Sequence, residues 1–281
     1  MSKIKLLALD VDGTLVNSRD ELTSATRDAL RRAAEAGVQI VLATGRRYSR
    51  TLPLVEPLGI DAPLVTASGA LIKRPSDHHT LYRAEFAPGV LRKTLQVVAA
   101  AGFDAVLYGD TYGEGFDFYC PRGEVPDQPE LGEYFMLNAQ CERVLPTLME
   151  APPPHIFAGF AAGSRDAMLA LDEQLQAALP GKLYTHVIRS PRYRGHMCEI
   201  APIGITKWFG ISHLAQQWGI TADEICAVGD DVNDIPMIEG AGLGVAMGNA
   251  VAETKAVADR IAPHHDEDGL VEVVNWVLAQ S

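Results

Sequence analysis

Ile4-Lys5-Leu6-Leu7-Ala8-Leu9-Asp10-Val11-Asp12-Gly13-Thr14 is a short apolar run that stops on two aspartates and a glycine. Such a run reads as a strand buried on both faces, the setting of strands in a parallel sheet. In an open α/β sheet, ligands bind beyond the carboxyl ends of the strands. Asp10 and Asp12 therefore stand where catalytic side chains project. Two carboxylates this close suit divided labour, one an ionised nucleophile and metal ligand, the other a general acid and base. Gly13 lets the backbone turn sharply and come close to a ligand. An Asx-type turn carrying two solvated aspartates is the other reading of the same residues.

The pattern recurs on either side of a different middle. Ala25, Ala29 and Ala33 fall at helical spacing within Thr23–Ala36, and Gly37 stands where a C-cap belongs. Val38–Ala43 is a second apolar run, ending on Thr44-Gly45-Arg46, and Pro63–Thr66 is a third. Strand, helix, strand, helix, strand is the order of a parallel sheet wrapped by helices. From about Glu85 to Ser190, Tyr108, Tyr112, Phe116, Phe118 and Tyr119 come in near-alternation. Gly109, Gly113, Gly115 and Pro152-Pro153-Pro154 punctuate that stretch, which we read as an inserted α+β domain. Afterwards the first pattern returns. Thr206–Trp218 is amphipathic, with Trp208, Ile211, Ala215 and Trp218 on one face. Ile225–Val228 and Leu243–Met247 read as strands, and Leu270, Val273, Val274, Val277 and Leu278 mark a closing helix.

The chain of 281 residues is 47% hydrophobic, enough for a substantial core, and its length suits about two domains. A net charge of -12 argues against non-specific nucleic-acid binding, which needs a basic face. An anionic substrate must then be drawn in locally, and an acidic cluster holding a divalent cation reconciles the two. Cys120, Cys141, Cys198 and Cys226 form no CxxC pair, so neither a disulfide framework nor a zinc site is indicated. The apolar stretch after Met1–Lys5 is broken at once by Asp10 and Asp12, unlike a signal peptide. No segment approaches a membrane span. The expectation is a reduced, cytoplasmic setting without nucleic-acid or membrane partners.

Three further stretches carry chemistry. Gly229-Asp230-Asp231-Val232-Asn233-Asp234 follows a strand, and its three acids repel one another unless a cation lies among them. Hard oxygen ligands of this kind suit magnesium; an acidic loop capping the next helix is the alternative. An EF-hand loop lacks its glycine and terminal glutamate here. Thr44-Gly45-Arg46 offers a hydroxyl, an N–H and a cation to a phosphoryl group, or is loop punctuation. Lys207 lies in the first turn of its helix, where backbone N–H groups and the dipole favour an anion, or is a solvated surface lysine. Together the four stretches provide a nucleophile, an acid, a metal site, a hydroxyl and a cation on one sheet edge, the parts phosphoryl transfer needs.

In this order, Asp10–Thr14, Thr44–Arg46, Gly204–Lys207 and Gly229–Asp234 resemble the haloacid dehalogenase superfamily. Within it, the chain is similar to the Cof-like sugar-phosphate phosphatases, whose large cap (type IIB) is inserted after the third strand. Gly244–Ala250, Ala258-Asp259 and Glu267-Asp268-Gly269 add to that likeness. The resemblance implies an α/β fold with a Rossmann-like, doubly wound parallel-sheet core over 1–83 and 195–281. Residues 84–194 would form an inserted α+β cap that sets specificity.

It further implies that Asp10 attacks phosphorus and that Asp12 protonates the leaving oxygen, then activates water. Mg2+ would be held by the Asp10 carboxylate, the Asp12 backbone carbonyl and Asp230. Thr44, Gly45, Lys207 and Asn233 would hold phosphoryl oxygens, with Arg46 and Asp234 also in the phosphate-binding set. Asp234 would steady Lys207 or a metal-bound water, and Thr14 would orient Asp12. The implied partner is a small phosphorylated metabolite, acted on by a monomer or small homo-oligomer. Three residues depart from the family pattern: Ser68 where asparagine is usual, Trp208 in place of glycine, and Asp231 in place of glycine.

Other features invite readings that we set aside. Gly240-Ala241-Gly242-Leu243-Gly244 precedes its strand, whereas a dinucleotide loop follows one. His78-His79 and His264-His265 read as solvated loop histidines, and the aromatics from Tyr108 to Tyr119 as sheet core. Arg122, Arg192 and Arg194 are candidate substrate contacts. Two other activities stay open: a phosphomutase or phosphotransferase, if a sugar accepts the group, and a regulatory metabolite-binding protein. Asp12 speaks against the last, because binding alone does not need it.

Overall fold

The structure, a computed structural model, describes residues 3–125, 127–189 and 194–279. The chain divides into two compact units, one formed by the segments up to Tyr82 and from Thr206 onward, the other by Arg83–Ile205. It runs through β1 (Leu6–Leu9), α1 (Ser24–Glu35), β2 (Gln39–Ala43), α2 (Tyr48–Val55), β3 (Leu64–Thr66), β4 (Leu71–Lys73) and β5 (Thr80–Arg83). The second unit adds α3 (Val90–Ala100), β6 (Val106–Gly109), β7 (Phe118–Cys120), α4 (Pro129–Leu137), β8 (Glu142–Val144) and β9 (Ile156–Gly163). It ends with α5 (Arg165–Ala178), β10 (Leu183–Ile188) and β11 (His196–Pro202). The first unit resumes with α6 (Lys207–Gln217), β12 (Ile225–Gly229), α7 (Ile235–Gly240), β13 (Leu243–Ala246), α8 (Ala252–Val257), β14 (Arg260–Ile261) and α9 (Gly269–Leu278).

Among the described residues, the first unit holds a sheet in the order β14-β13-β12-β1-β2-β3-β4-β5. From β14 to β3 the neighbours are parallel, and β4 turns back antiparallel to β3. β1 lies between β12 and β2, so every residue from Leu6 to Leu9 is fully buried. On one face Leu6, Ala8, Val41, Ala43, Val65 and Ala227 pack with Ile211, Leu214 and Ala215 of α6 and Met237 of α7. The alternate residues Leu7, Leu9 and Leu42 are buried too, on the face where alternation directs them, and α1 packs with α9 and with β2. Each such side chain contributes about 1.5–3 kcal/mol on leaving water. This is the doubly wound α/β core expected from the sequence.

Local signals explain most element ends. Thr23 caps α1 by accepting from Thr26 N–H at 3.1 Å, and Gly37 follows it at φ 88. Thr206 caps α6 by accepting from Phe209 N–H at 3.1 Å. The face assigned to α6 needs correction: its buried stripe is Gly210, Ile211, Leu214 and Ala215, while Trp218 is exposed beyond its end. Trp208 packs on the core cluster, and its ring lies so close to Gly240 that a Cβ there would stand 2.3 Å from it. The short strands β4, β5 and β14 have no counterpart in the sequence reading.

The second unit holds a sheet in the order β10-β11-β9-β6-β7-β8, antiparallel throughout except between β7 and β8. One cluster gathers Leu95 and Val98 of α3 and Met168 and Leu171 of α5 with Leu107, Tyr119, Ala161 and Cys198. A second joins Tyr134 and Phe135 of α4 to Val106, Phe118 and Phe160. Phe116, Phe118 and Tyr119 are thus sheet core. Sequence reading returned the chain to the first unit at residue 195, but β11 pairs with β10 and β9, which carries the second unit to Ile205. Arg122 is paired with Asp104 and Asp127, and Arg194 with Glu133; Arg192 lies outside the described residues. No helix among those described is long and apolar enough to cross a membrane.

Candidate active site

The candidate side chains gather at the carboxyl ends of β1, β2, β12 and β13. Ladder bonds run one step past the strands, from Asp10 N–H to Val228 O at 2.9 Å and from Thr44 N–H to Val65 O at 2.8 Å. The residues that follow each strand are therefore delivered at one level. After Asp10 the chain makes a single wide turn, closed by Val16 N–H on Val11 O at 3.1 Å. Gly13 has φ 73, and a Cβ on it would lie 2.2 Å from Asp230 Oδ2. Only glycine lets this turn press against the β12 loop.

Lys207 is the hub. Its Nζ donates to Asp10 Oδ1 at 2.6 Å, Asp234 Oδ1 at 2.7 Å and Asn233 Oδ1 at 3.3 Å. Its side chain is 2% exposed, so the reading as a solvated surface lysine is set aside. Burial alone would disfavour the ammonium, yet the Asp10 and Asp234 carboxylates outweigh it and hold Lys207 above its ordinary range. Asp234 is fully buried. Its second oxygen accepts from the backbone N–H groups of Asp230 and Asp231 at 2.9 and 3.1 Å. With Oδ1 on Lys207 and Oδ2 on these N–H groups, Asp234 is placed to steady Lys207 and its own loop.

Arg46 differs from its expected place. Its Nε donates to Asp12 Oδ2 at 2.7 Å, and its Nη2 reaches Asp12 Oδ1 and Asp20 Oδ1. The guanidinium grips the second aspartate of the first motif, a contact the sequence reading does not include. Burial disfavours its charge, and the hydrogen bonds it donates to Asp12 and Asp20 more than restore it. Thr44 accepts from Arg46 N–H at 3.0 Å, folding Thr44-Gly45-Arg46 into a compact turn. Thr14, expected to orient Asp12, has a buried Oγ1 with no hydrogen-bond partner among the described residues.

The donor set fits a divalent cation. Asp10, Asp230 and Asp234 each bring a carboxylate oxygen within 4.8 Å of the others, against the one ammonium of Lys207. Asp230 Oδ1 is buried with no hydrogen-bond partner. Burial first, then neighbouring carboxylates, push Asp10 well above the usual carboxylate range, Lys207 notwithstanding. Burial, then Asp234, push Asp230 up to about 7. A bound cation would relieve the mutual repulsion that raises these carboxylates.

Sequence reading missed Asn249. It follows β13 on the same edge, donates to Gly13 O at 2.8 Å and to Asp230 Oδ2 at 3.3 Å, and accepts from His265 N–H at 3.1 Å. Its place just past a strand was the available signal. Ala67 and Ser68, at the unusual Ser68 position, both have positive φ, 48 and 55. Beside them a Cβ on Gly69 would meet Thr206 O at 2.1 Å. This strained turn abuts the start of α6, which carries Lys207.

A family model for haloacid dehalogenase-like hydrolases matches residues 7–274. The chain belongs to that family. It is 29% identical to the phosphatase YwpJ of Bacillus subtilis, over 98% of this chain and 100% of that protein. It is 27% identical to the 5-amino-6-(5-phospho-D-ribitylamino)uracil phosphatase YwtE of the same organism, over 98% and 99%. The crystal structure of a haloacid dehalogenase-like hydrolase from Bacteroides thetaiotaomicron superposes with a TM-score of 0.79 at 28% identity, covering 98% of this chain and 100% of that one. This member of the family is a phosphatase.

Proposed function

We propose that the protein is a Mg2+-dependent phosphatase of small phosphorylated metabolites, sugar phosphates or similar, working through an aspartyl-phosphate on Asp10. The observation that carries this is the buried hydrogen bond of Lys207 to Asp10, set among Asp230, Asp234 and Asn233. That arrangement holds one carboxylate fixed and ionisable beside a cation, as a nucleophile requires. The relative named for a phosphorylated ribityl compound supports a small metabolite as substrate.

In this reading an Asp10 oxygen attacks phosphorus, and the bond from phosphorus to the ester oxygen breaks. Asp12 gives its proton to the departing oxygen. The resulting Asp12 carboxylate takes a proton from water, which attacks the phosphorus of the aspartyl-phosphate and frees phosphate and Asp10. Lys207, Asn233 and the Thr44-Gly45 turn hold the phosphoryl oxygens. Asp10, Asp230 and the Asp12 carbonyl would hold Mg2+, whose charge offsets that of the phosphoryl group beside the carboxylates.

The test is phosphate release from an aryl phosphate and a panel of sugar phosphates, with and without Mg2+. Release should stop on chelation and in Asp10→Asn. Full activity in either case would sink the mechanism. Movement of the phosphoryl group to a second hydroxyl, with no free phosphate, would replace hydrolysis by transfer.

A further inference from the structure

We propose that Asp20 is a positioning residue, acting through Arg46 to set the orientation of Asp12; this rests on the phosphatase reading, in which Asp12 transfers the proton. Arg46 spans the two aspartates, with Nε and Nη2 on the two oxygens of Asp12 and Nη2 also on Asp20 Oδ1. The Arg46 side chain is only 10% exposed. A guanidinium this enclosed needs a carboxylate partner at all times, because a buried charge stripped of its partner is strongly unfavourable.

Asp20 is held for this task by its own turn. Its φ is 64, a region that side-chain-bearing residues seldom adopt. Asp20 N–H bonds Asn17 O at 2.9 Å, and Asn17 N–H bonds Glu21 O at 3.0 Å. Asn17 Oδ1 accepts from Arg19 and Glu21 N–H at 2.9 and 3.1 Å. The turn is then pinned from a distant part of the chain. Ser18 donates its N–H and its hydroxyl to Asp266 at 2.8 and 3.0 Å, and His265 Nδ1 donates to Val16 O at 2.8 Å. Asp20 is a fixed point, and Arg46 hangs between it and Asp12.

The consequence lies in the proton transfer. With both oxygens accepting from Arg46, Asp12 has none turned to a substrate; to serve as an acid it must release one, and that oxygen must take up a proton, from solvent or from the entering monoester, before passing it to the leaving group. Asp20 keeps the guanidinium in place when that happens, so Asp12 rotates against a stationary partner and returns to it. Asp20 touches neither the substrate nor the phosphoryl group. Its effect on the first step, the attack of Asp10 on phosphorus, should therefore scale with how much the leaving group needs a proton.

The experiment compares Asp20→Asn with wild type on two esters. Asparagine keeps the shape and tolerates positive φ, so the turn survives, checked by an unchanged thermal midpoint. 4-Nitrophenyl phosphate expels a stable anion that needs no proton, whereas glycerol phosphate expels an alkoxide that does. With general acids contributing on the order of a hundredfold or more, kcat/KM, which reports the step that expels the leaving group and not the later hydrolysis common to both esters, should fall about 10-fold on glycerol phosphate and by less than about 2-fold on 4-nitrophenyl phosphate. The Mg2+ concentration for half-activation should stay as in wild type. Arg46→Lys, which keeps the charge and loses the fork, should show the same selective loss. Equal losses of kcat/KM on both esters, or none on glycerol phosphate, overturn the role of Asp20 and leave the phosphatase reading standing. A wild-type protein that frees phosphate from neither ester ends both.

Discussion

Lys207 and Asp10 are 197 residues apart in the chain and share a hydrogen bond of 2.6 Å, with side chains 2% and 5% exposed. The whole second unit is inserted between them in sequence. The first turn of α6 thus returns to the end of β1 and closes the first unit across that insertion. Asp234 shares the same ammonium, so one cation serves two buried acids.

Removing that cation should cost stability as well as activity. In Lys207→Met, Asp10 and Asp234 lose their common partner, a loss of about 3–5 kcal/mol for a broken buried pair. Chemical unfolding followed by circular dichroism should show this as a lower midpoint. Adding Asp234→Asn to Lys207→Met should recover part of it, because the two positions share one interaction. A double variant as unstable as the sum of the singles would contradict the coupling.

The acids themselves make the cation-free protein sensitive to pH. Asp10 and Asp230 are raised in the fold, Asp230 to about 7, while an unfolded aspartate titrates near about 4. Between those values the folded chain keeps protons that the unfolded chain has lost, so stability falls as pH rises through the window. A bound cation replaces those protons. The rise in thermal midpoint on adding Mg2+ should be small at about pH 5 and large at about pH 8. Equal rises at both would exclude Asp10 and Asp230 as the ligands.

Much of this was legible in the sequence because the signals are local. β1, β2, β3 and β12 are apolar runs that end on polar loops, and α1 and α6 carry their own N-caps. Asp10, Lys207 and Asp230 were recognisable because each follows a strand or opens a helix. What escaped depends on where separate loops converge. Arg46 lies two residues from Thr44 in sequence, yet its partners are Asp12 and Asp20. Trp208 packs on the core as its place on the apolar face implies, but that the missing side chain of Gly240 gives it room is visible only in the fold. β4, β5 and β14 are too short for a period of two to declare itself.

Gly13 should tolerate no side chain. A Cβ there would fall 2.2 Å from Asp230 Oδ2, and a φ of 73 costs an L-residue roughly 1–2 kcal/mol. Gly13→Ala must push Asp230 aside. The Mg2+ concentration for half-maximal phosphate release should rise about 10–100-fold, the range seen when a ligand's support is lost. An unaltered activation curve would mean that Asp230 does not ligate the cation.

Asn249 gives the last prediction, because it ties together the two loops that carry the acids. Its amide N–H groups bond Gly13 O and Asp230 Oδ2, and its Oδ1 takes His265 N–H. Asn249→Ala frees the Asp230 carboxylate to rotate and releases the Gly13 turn, without touching Asp10 or Lys207. Mg2+ should therefore bind about 10-fold more weakly, again as for a lost supporting contact. The maximal rate at saturating Mg2+ should stay near wild type, since nucleophile and cation are intact. Asn249→Asp, which keeps an acceptor for His265 but sets a second charge beside Asp230, separates the two contributions. If support is what matters, it should weaken Mg2+ as alanine does, whereas tighter Mg2+ binding would show that added charge outweighs orientation.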